Sequence, residues 1–405
     1  MTKKTIIGVV TVLDDYRAIF DLNKNLYNKI CVEFNEFYII NLKNLIIFNK
    51  KSFNKKSKIV YKNVKVFEPK NSKHFISFFK NKKLIAFNGL GKNFNNFKIY
   101  YLLSKINLIQ ILLMNIGFLN NTIEISSNNF RSFVSSFFFK YKRKITQLIF
   151  RIFTILKIFP KIDFYFDASK KIVDNINGSF LKKFENRYPF ISFSYFKNVI
   201  MINSRAYDEF IDIKKKSEKY IVFIDTYFDH PDRTHREGNI NKDILSKYYI
   251  RLHKLLNTVS HIYKKKIVIC IHPKNKGLLF KKYFSKSIIK RYETTKMINN
   301  SFIVLFHESS AALDALLLKK NIIILKSALL GEYLSKRTSL YSSLLGINSI
   351  SLDNNYFINK NQLNLDLKLS KKKYQTYIKY YLNSDGKIPG YKKVIDIIKK
   401  NLNEF

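Results

Sequence analysis

What most constrains the fold of this chain is a series of short, uninterrupted apolar runs set between longer mixed stretches. In the second half the runs are Tyr220 to Ile224, Ile267 to Ile271, Phe302 to Phe306 and Ile322 to Leu325. A strand with one wet face alternates apolar and polar residues, whereas a strand that is apolar throughout must be covered on both faces, as in a parallel sheet crossed by helices. Helical stretches such as Asp243 to Tyr263 and Ala311 to Leu318 separate the runs. The first half has a similar rhythm, with runs at Thr5 to Val12, Phe37 to Asn41, Leu84 to Asn88, Gln110 to Asn115 and Asp163 to Phe166, which suggests further β/α units.

The segment Tyr207 to Glu218, with Lys214, Lys215 and Lys216, reads as the connection between the halves and puts a boundary near residue 205. Three parts are predicted: residues 1–205, residues 206–370, and a helical segment 371–405 that returns to the first domain. This last stretch is helical from Lys371 to Asn401, with breaks at Asn383 to Gly386 and at Pro389-Gly390.

Composition narrows the partners. With 73 Lys plus Arg against 29 Asp plus Glu, the chain carries a formal charge of +44, and its 37 Phe and 26 Tyr supply ample core. Lys, Asn, Ile, Phe and Tyr are enriched together, as an A/T-rich coding sequence produces, so part of the charge reflects coding bias. A surface this positive still draws polyanions: nucleic acid, anionic lipid or phosphate-bearing substrates. Nucleic-acid binding is disfavoured, because the lysines are spread along the chain and no helix-turn-helix, zinc finger or RNP sequence occurs.

Cys31 and Cys270 are far apart, which excludes a disulfide framework or a structural zinc site and makes a reducing, cytoplasmic setting the default. Ile6 to Leu13 runs into Asp14-Asp15 with no small-residue cleavage site and reads as a buried strand. The longest uncharged run, Ile106 to Ile123, holds Asn107, Gln110, Asn115, Gly117, Asn120 and Asn121, poor residues for a bilayer centre. Arg131 to Phe159 is dense in Phe, Ile and Leu, with Lys140, Lys142, Arg143, Lys144, Arg151 and Lys157 interspersed. It suits either a basic amphipathic helix resting on a membrane or, more simply, a core helix with a solvated basic face.

Chemistry-bearing residues collect where strands end. Six of the seven histidines follow residue 229, and His230, His272 and His307 each come just after an apolar run. Ligands of open parallel sheets bind at the carboxyl ends of strands, so the three imidazoles are expected to line one crevice. The first cluster, Phe223 to Asp232, combines Asp225, His230 and Asp232 and offers general acid/base groups. The second, His272-Pro273-Lys274, suits a phosphate oxygen. In the third, His307-Glu308-Ser309-Ser310, two serines stand at a helix entrance that caps backbone N–H groups and attracts phosphate. No GxSxG elbow, Walker A loop or GxGxxG fingerprint is present, and Gly89-Leu90-Gly91 reads as support for a turn at a crevice edge.

With its His272-Pro273 and Ser309-Ser310 pairs in that order, the second half resembles the donor domain of bacterial surface-polysaccharide and lipopolysaccharide glycosyltransferases, including bacterial sialyltransferases. The segment from Val199 to Asp232 is similar to the start of that second domain. The resemblance implies an α/β GT-B fold, in which two Rossmann-like domains face across a cleft and a C-terminal helix packs back. Residues 1–205 would be the acceptor domain and 206–370 the donor domain. It implies transfer of a sugar from a nucleotide-sugar donor, such as a CMP-linked sialic acid or related acid sugar, to a glycan or lipid-linked glycan acceptor in capsule or lipopolysaccharide synthesis. No metal or separate cofactor is implied, and the setting would be the anionic inner face of the cytoplasmic membrane.

Donor binding would fall to His272, Pro273, Lys274, His307, Glu308, Ser309 and Ser310. Such transferases take their base from a carboxylate-carboxylate-glycine motif in the other domain, and Asp14-Asp15 lacks the glycine. Asp15, Asp225 and Asp232 therefore stay open as bases, with His230 as a further acid/base group. A polyol-phosphate transferase or a nucleotide-sugar epimerase of the same architecture is the alternative.

Overall fold

A computed structural model describes residues 4–46, 61–114, 130–179, 196–211, 218–228, 240–272, 275, 278–309, 311–353, 375–382 and 385–403. Two compact units emerge, one running to Asp208 and joined by the C-terminal helix, the other spanning Glu209 to Leu382.

Among the described residues, the first unit is built on seven strands: β1 (Lys4–Thr11), β2 (Phe37–Asn41), β3 (Val64–Phe67), β4 (Lys82–Asn88), β5 (Asn107–Met114), β6 (Ile162–Asp167) and β7 (Phe196–Met201). They form a parallel sheet in the order β3-β2-β1-β4-β5-β6-β7. The second unit has β8 (Tyr220–Ile224), β9 (Lys266–Cys270), β10 (Ile288–Lys290), β11 (Ser301–Phe306), β12 (Asn321–Lys326) and β13 (Ser349–Ser351), in the order β10-β9-β8-β11-β12-β13. Counted within its own unit, the second sheet runs 3-2-1-4-5-6, and the first has the same order with a seventh strand added. That is the doubly wound, Rossmann-like topology.

The central strands are apolar throughout because both faces are covered. Separate buried clusters gather Ile7, Val9 and Phe87 on one face of the first sheet and Ile6, Val10 and Ala86 on the other. In the second unit the helix Lys242–Tyr263 buries Leu245, Tyr248, Tyr249, Leu252, Leu255, Leu256 and Val259, the three- and four-residue spacing of a single helical face. The Asn241 side chain caps it by accepting from Asp243 N, and Lys264 ends it in the left-handed region at φ 50°.

One boundary differs from the resemblance. The stretch from Val199 onward does not open the second unit; β7 pairs with β6 from Ile162↔Phe196 to Asp167↔Met201, covering an otherwise open sheet edge. The C-terminal helix Gly390–Asn403 returns to this same unit. Val394, Ile395 and Ile398 enter its core, and Lys393 Nζ donates to Met201 O. Both carboxylate oxygens of Asp208 receive the first free amides of that helix, Gly390 N at 2.6 Å and Tyr391 N at 3.0 Å. These N–H groups have no partner within a helix, and the negative charge also suits the helix N-terminus. Gly390 is required there, since a Cβ would lie 2.6 Å from Asn203 O.

The helix Phe130–Ile155 covers the first sheet from the other side, burying Phe150 edge-on against Phe97 and Tyr100. Among the described residues, no helix is long and apolar enough to cross a membrane.

Candidate functional site

In a doubly wound sheet the connections leave toward opposite faces at the point where strand order reverses, and a crevice opens there beyond the carboxyl ends of the strands. In the second unit this point lies between β8 and β11. The loop after β8 carries Asp225 to Phe228 and the loop after β11 carries His307 to Ser309, joined by Thr226 Oγ1 donating to Glu308 O at 3.3 Å. His272 follows β9, on the far side of β8. His272 and Ser309 are thus not on neighbouring strands; the β8 loop stands between them.

Asp225 organises this loop set. It is 3% exposed, and its Oδ2 accepts from His272 N at 3.1 Å and from Asn275 Nδ2 at 2.7 Å, while Oδ1 accepts from Tyr227 N at 3.0 Å. A buried carboxylate must be compensated by donors, and these come from two successive strand ends. The next residues make a platform. Tyr227 has φ 54°, an unusual conformation for a bulky residue, and its ring lies parallel to that of His272 with centroids 5.1 Å apart. Asn275 is held in turn by Arg291, whose guanidinium donates to its carbonyl.

His307 does not line the crevice with His272. It is fully buried, with Nδ1 2.7 Å from Leu325 O and Nε2 2.7 Å from Tyr248 Oη. The carbonyl can only accept, so Nδ1 carries the proton and Nε2 accepts from the tyrosine, which assigns a neutral imidazole. Burial pushes its pKa down to about 4, although Leu325 O and the Asp353 charge oppose the shift. It ties the end of β11 to β12 and to the helix Lys242–Tyr263. Glu308 and Ser309 are half-buried: the Glu308 carboxylate pairs with Arg337, and Ser309 Oγ accepts from Ala311 N at 3.2 Å. The helix that follows, Ala312–Leu317, is a short one. Burial pushes the Cys270 thiol up to about 12, which suits a packing role. His230, Asp232, Pro273, Lys274 and Ser310 lie outside the described residues.

The first unit has its own polar edge at the corresponding reversal, between β1 and β4. Gly89 N donates to Val10 O there, and a Cβ on Gly89 would lie 2.9 Å from the same oxygen, so the turn is pressed against β1. Asp14 is buried and paired with Lys43. Asn41 Nδ2 donates to both Asp14 Oδ1 at 3.2 Å and Tyr16 Oη at 2.8 Å, and Tyr16 Oη donates to Glu68. Asp15, in contrast, is exposed and accepts from Ala18 N at 3.0 Å as the cap of the helix Tyr16–Asp21. Burial pushes the Lys92 ammonium, just past Gly91, down to about 8. Lys92, Glu68, Tyr227 and Asn275 escape a reading by motif. Their signal is position, each within a few residues of a strand end.

No known family profile and no curated protein matches the chain. Solved structures do. The wall teichoic acid polymerase TagF aligns over 99% of this chain and 90% of its own, with a TM-score of 0.51 and 12% identity. A histidine-to-alanine variant of TagF gives 0.51 and 13% identity over 99% and 89%. The fold is GT-B. A putative UDP-N-acetylglucosamine 2-epimerase from Listeria monocytogenes aligns at 0.49, with 12% identity over 99% of this chain and 98% of its own. Identities this low speak to the GT-B fold alone, and the loops after β8, β9 and β11 are the place where such a fold would carry its chemistry.

Proposed function

We propose that this protein is a glycosyltransferase that binds a nucleotide-sugar donor at the carboxyl edge of β9, β8 and β11 and acts in the synthesis of a bacterial surface glycan. The observation that carries the reading is the Asp225 carboxylate, which at the strand-order reversal holds the His272 loop and the stacked Tyr227 in one arrangement. Transfer forms a bond from an acceptor oxygen to the anomeric carbon, breaks the bond to the nucleotide phosphate, and moves the acceptor proton to a base. The leaving phosphate would be stabilised by His272 with Pro273-Lys274 and by the Ser309-Ser310 turn. Glu308, braced by Arg337, and the buried His307 would hold that turn in place.

For the base we assign Asp15, exposed at the carboxyl end of β1. Asp225, already accepting three hydrogen bonds, serves as an orienting group. His230 and Asp232 are kept as acid/base groups of the loop after β8. A CMP-linked acid sugar is the donor to test first, and the acceptor is a glycan or lipid-linked glycan met at the inner face of the cytoplasmic membrane, without a metal or cofactor. The alternative within the same architecture is a polyol-phosphate transferase or a nucleotide-sugar epimerase.

The test is a thermal-shift screen of the full chain against CMP, CDP, UDP, GDP and their sugar conjugates, with His272→Ala and Ser309→Ala beside the wild type. Stabilisation by one nucleotide series, lost in both variants, is the expected result; no shift with any nucleotide refutes the donor site. Asp15→Asn should keep the shift and lose transfer.

A further inference from the structure

We propose that the outward face of the helix Phe130–Ile155 is the surface by which this protein docks on an anionic lipid bilayer. The proposal rests on the membrane-side setting given above but not on the donor. Tyr141, Ile145, Leu148, Ile152 and Ile155 follow one another at alternating steps of four and three residues, and Leu156 adjoins them, so they form one stripe along the helix. All six are exposed, Leu148 at 57% and Leu156 at 61%. At about 100° per residue, the buried Thr146, Phe150 and Thr154 fall on the opposite side. The helix therefore has one buried face and one exposed apolar face. One packs into the first unit beside Phe97 and Tyr100, and the other faces solvent, where a contiguous apolar patch marks an interaction surface.

Charge selects the occupant. Between Glu124 and Asp163 the chain carries eight basic residues and no acidic one. Lys144 and Lys157 are exposed beside the stripe, and Arg151 is half-exposed. A second copy of the chain would bring basic helix against basic helix between molecules of formal charge +44. An anionic bilayer offers opposite charge at the headgroups and an acyl boundary for the aliphatic side chains, while the long basic side chains reach back to the phosphates.

The experiment is flotation of the full chain with phosphatidylcholine vesicles, with and without phosphatidylglycerol, in the absence of nucleotide and acceptor. The wild type should float with the anionic vesicles. The triple variant Ile145→Ser, Leu148→Ser and Ile152→Ser should bind about a hundred-fold more weakly, given the apolar area it removes. Its thermal midpoint should stay unchanged, because the three side chains are exposed in the folded protein. Lys144→Glu with Lys157→Glu should weaken binding and flatten its salt dependence.

The proposal fails if the wild type does not float, if the triple variant floats as well as the wild type, or if the wild type is a dimer that the triple variant converts to a monomer. Nucleotide thermal shifts on the same proteins keep the two readings apart. Flotation without any nucleotide shift removes the donor site alone, and a shift without flotation removes the docking surface alone.

Discussion

Replacing His307 by glutamine tests the buried centre of the second unit and gives a number to check. The imidazole is neutral in the folded chain because burial pushes its pKa from an ordinary 6.5 down to about 4. Above pH 6.5 the histidine is mostly neutral in both states, and its contribution to stability is fully present. As the pH falls from 6.5 toward 4, the unfolded chain binds a proton that the folded chain refuses, so stability is lost; below 4 both states are protonated and the loss stops. At about 1.4 kcal/mol for each tenfold change in affinity, the whole window amounts to about 3 kcal/mol, of which about 2 falls between pH 7 and 4.5. A glutamine side chain in this place would bring an amide that donates to Leu325 O and an oxygen that accepts from Tyr248, without a titrating group. Hydrogen exchange of the β11 and β12 amides reads the opening free energy of this unit separately from the first. The wild type should lose about 2 kcal/mol more than His307→Gln between pH 7 and 4.5. Equal losses would refute the neutral, locked imidazole.

Other perturbations follow from the same contacts. Asp225→Ala removes an acceptor from three donors and should lower second-unit stability by about 3 kcal/mol, with Asp225→Asn intermediate, read by hydrogen exchange in β8 and β9. Gly390→Ala drives a Cβ against Asn203 O and should cost about 1–3 kcal/mol, visible as faster proteolysis of the C-terminal helix. Lys43→Met leaves the buried Asp14 carboxylate without its cation, and urea unfolding of the first unit should shift by about 3 kcal/mol.

Nine strands are legible as apolar runs, and the other four share one property. β3, β7, β10 and β13 are the outer strands of their sheets. An edge strand has one neighbour and a solvated flank, so it can be short and take lysine or serine without penalty. Lys65 in β3, Lys197 and Asn198 in β7, Lys290 in β10 and the two serines of β13 break the apolar signal. The central strands are covered on both faces and carry few such residues, and β12 shows the result in Ile322, Ile323, Ile324 and Leu325, all buried. Pattern therefore reveals the middle of each sheet and not its width. The same cause hides β7 itself, whose apolar run is too short to be counted with the first sheet, although the Lys-rich connection after it still marks the unit boundary to within a few residues.

At the candidate site, sequence identifies which residues stand at strand ends but not which of them face the crevice. His272 and His307 both follow an apolar run, yet one stacks on Tyr227 and the other fills the interior. The difference lies in partners distant in sequence. His307 is drawn inward because Tyr248, 59 positions away, and Leu325, 18 positions away, together satisfy both ring nitrogens. Without such a pair an imidazole could not be buried at acceptable cost. His272 has its backbone amide anchored by Asp225, 47 positions away, and its ring lies flat on an aromatic neighbour. A histidine after a buried strand thus becomes a functional candidate only once its hydrogen-bond partners are known, and in a doubly wound sheet those partners come from the strands beside it rather than from the residues beside it.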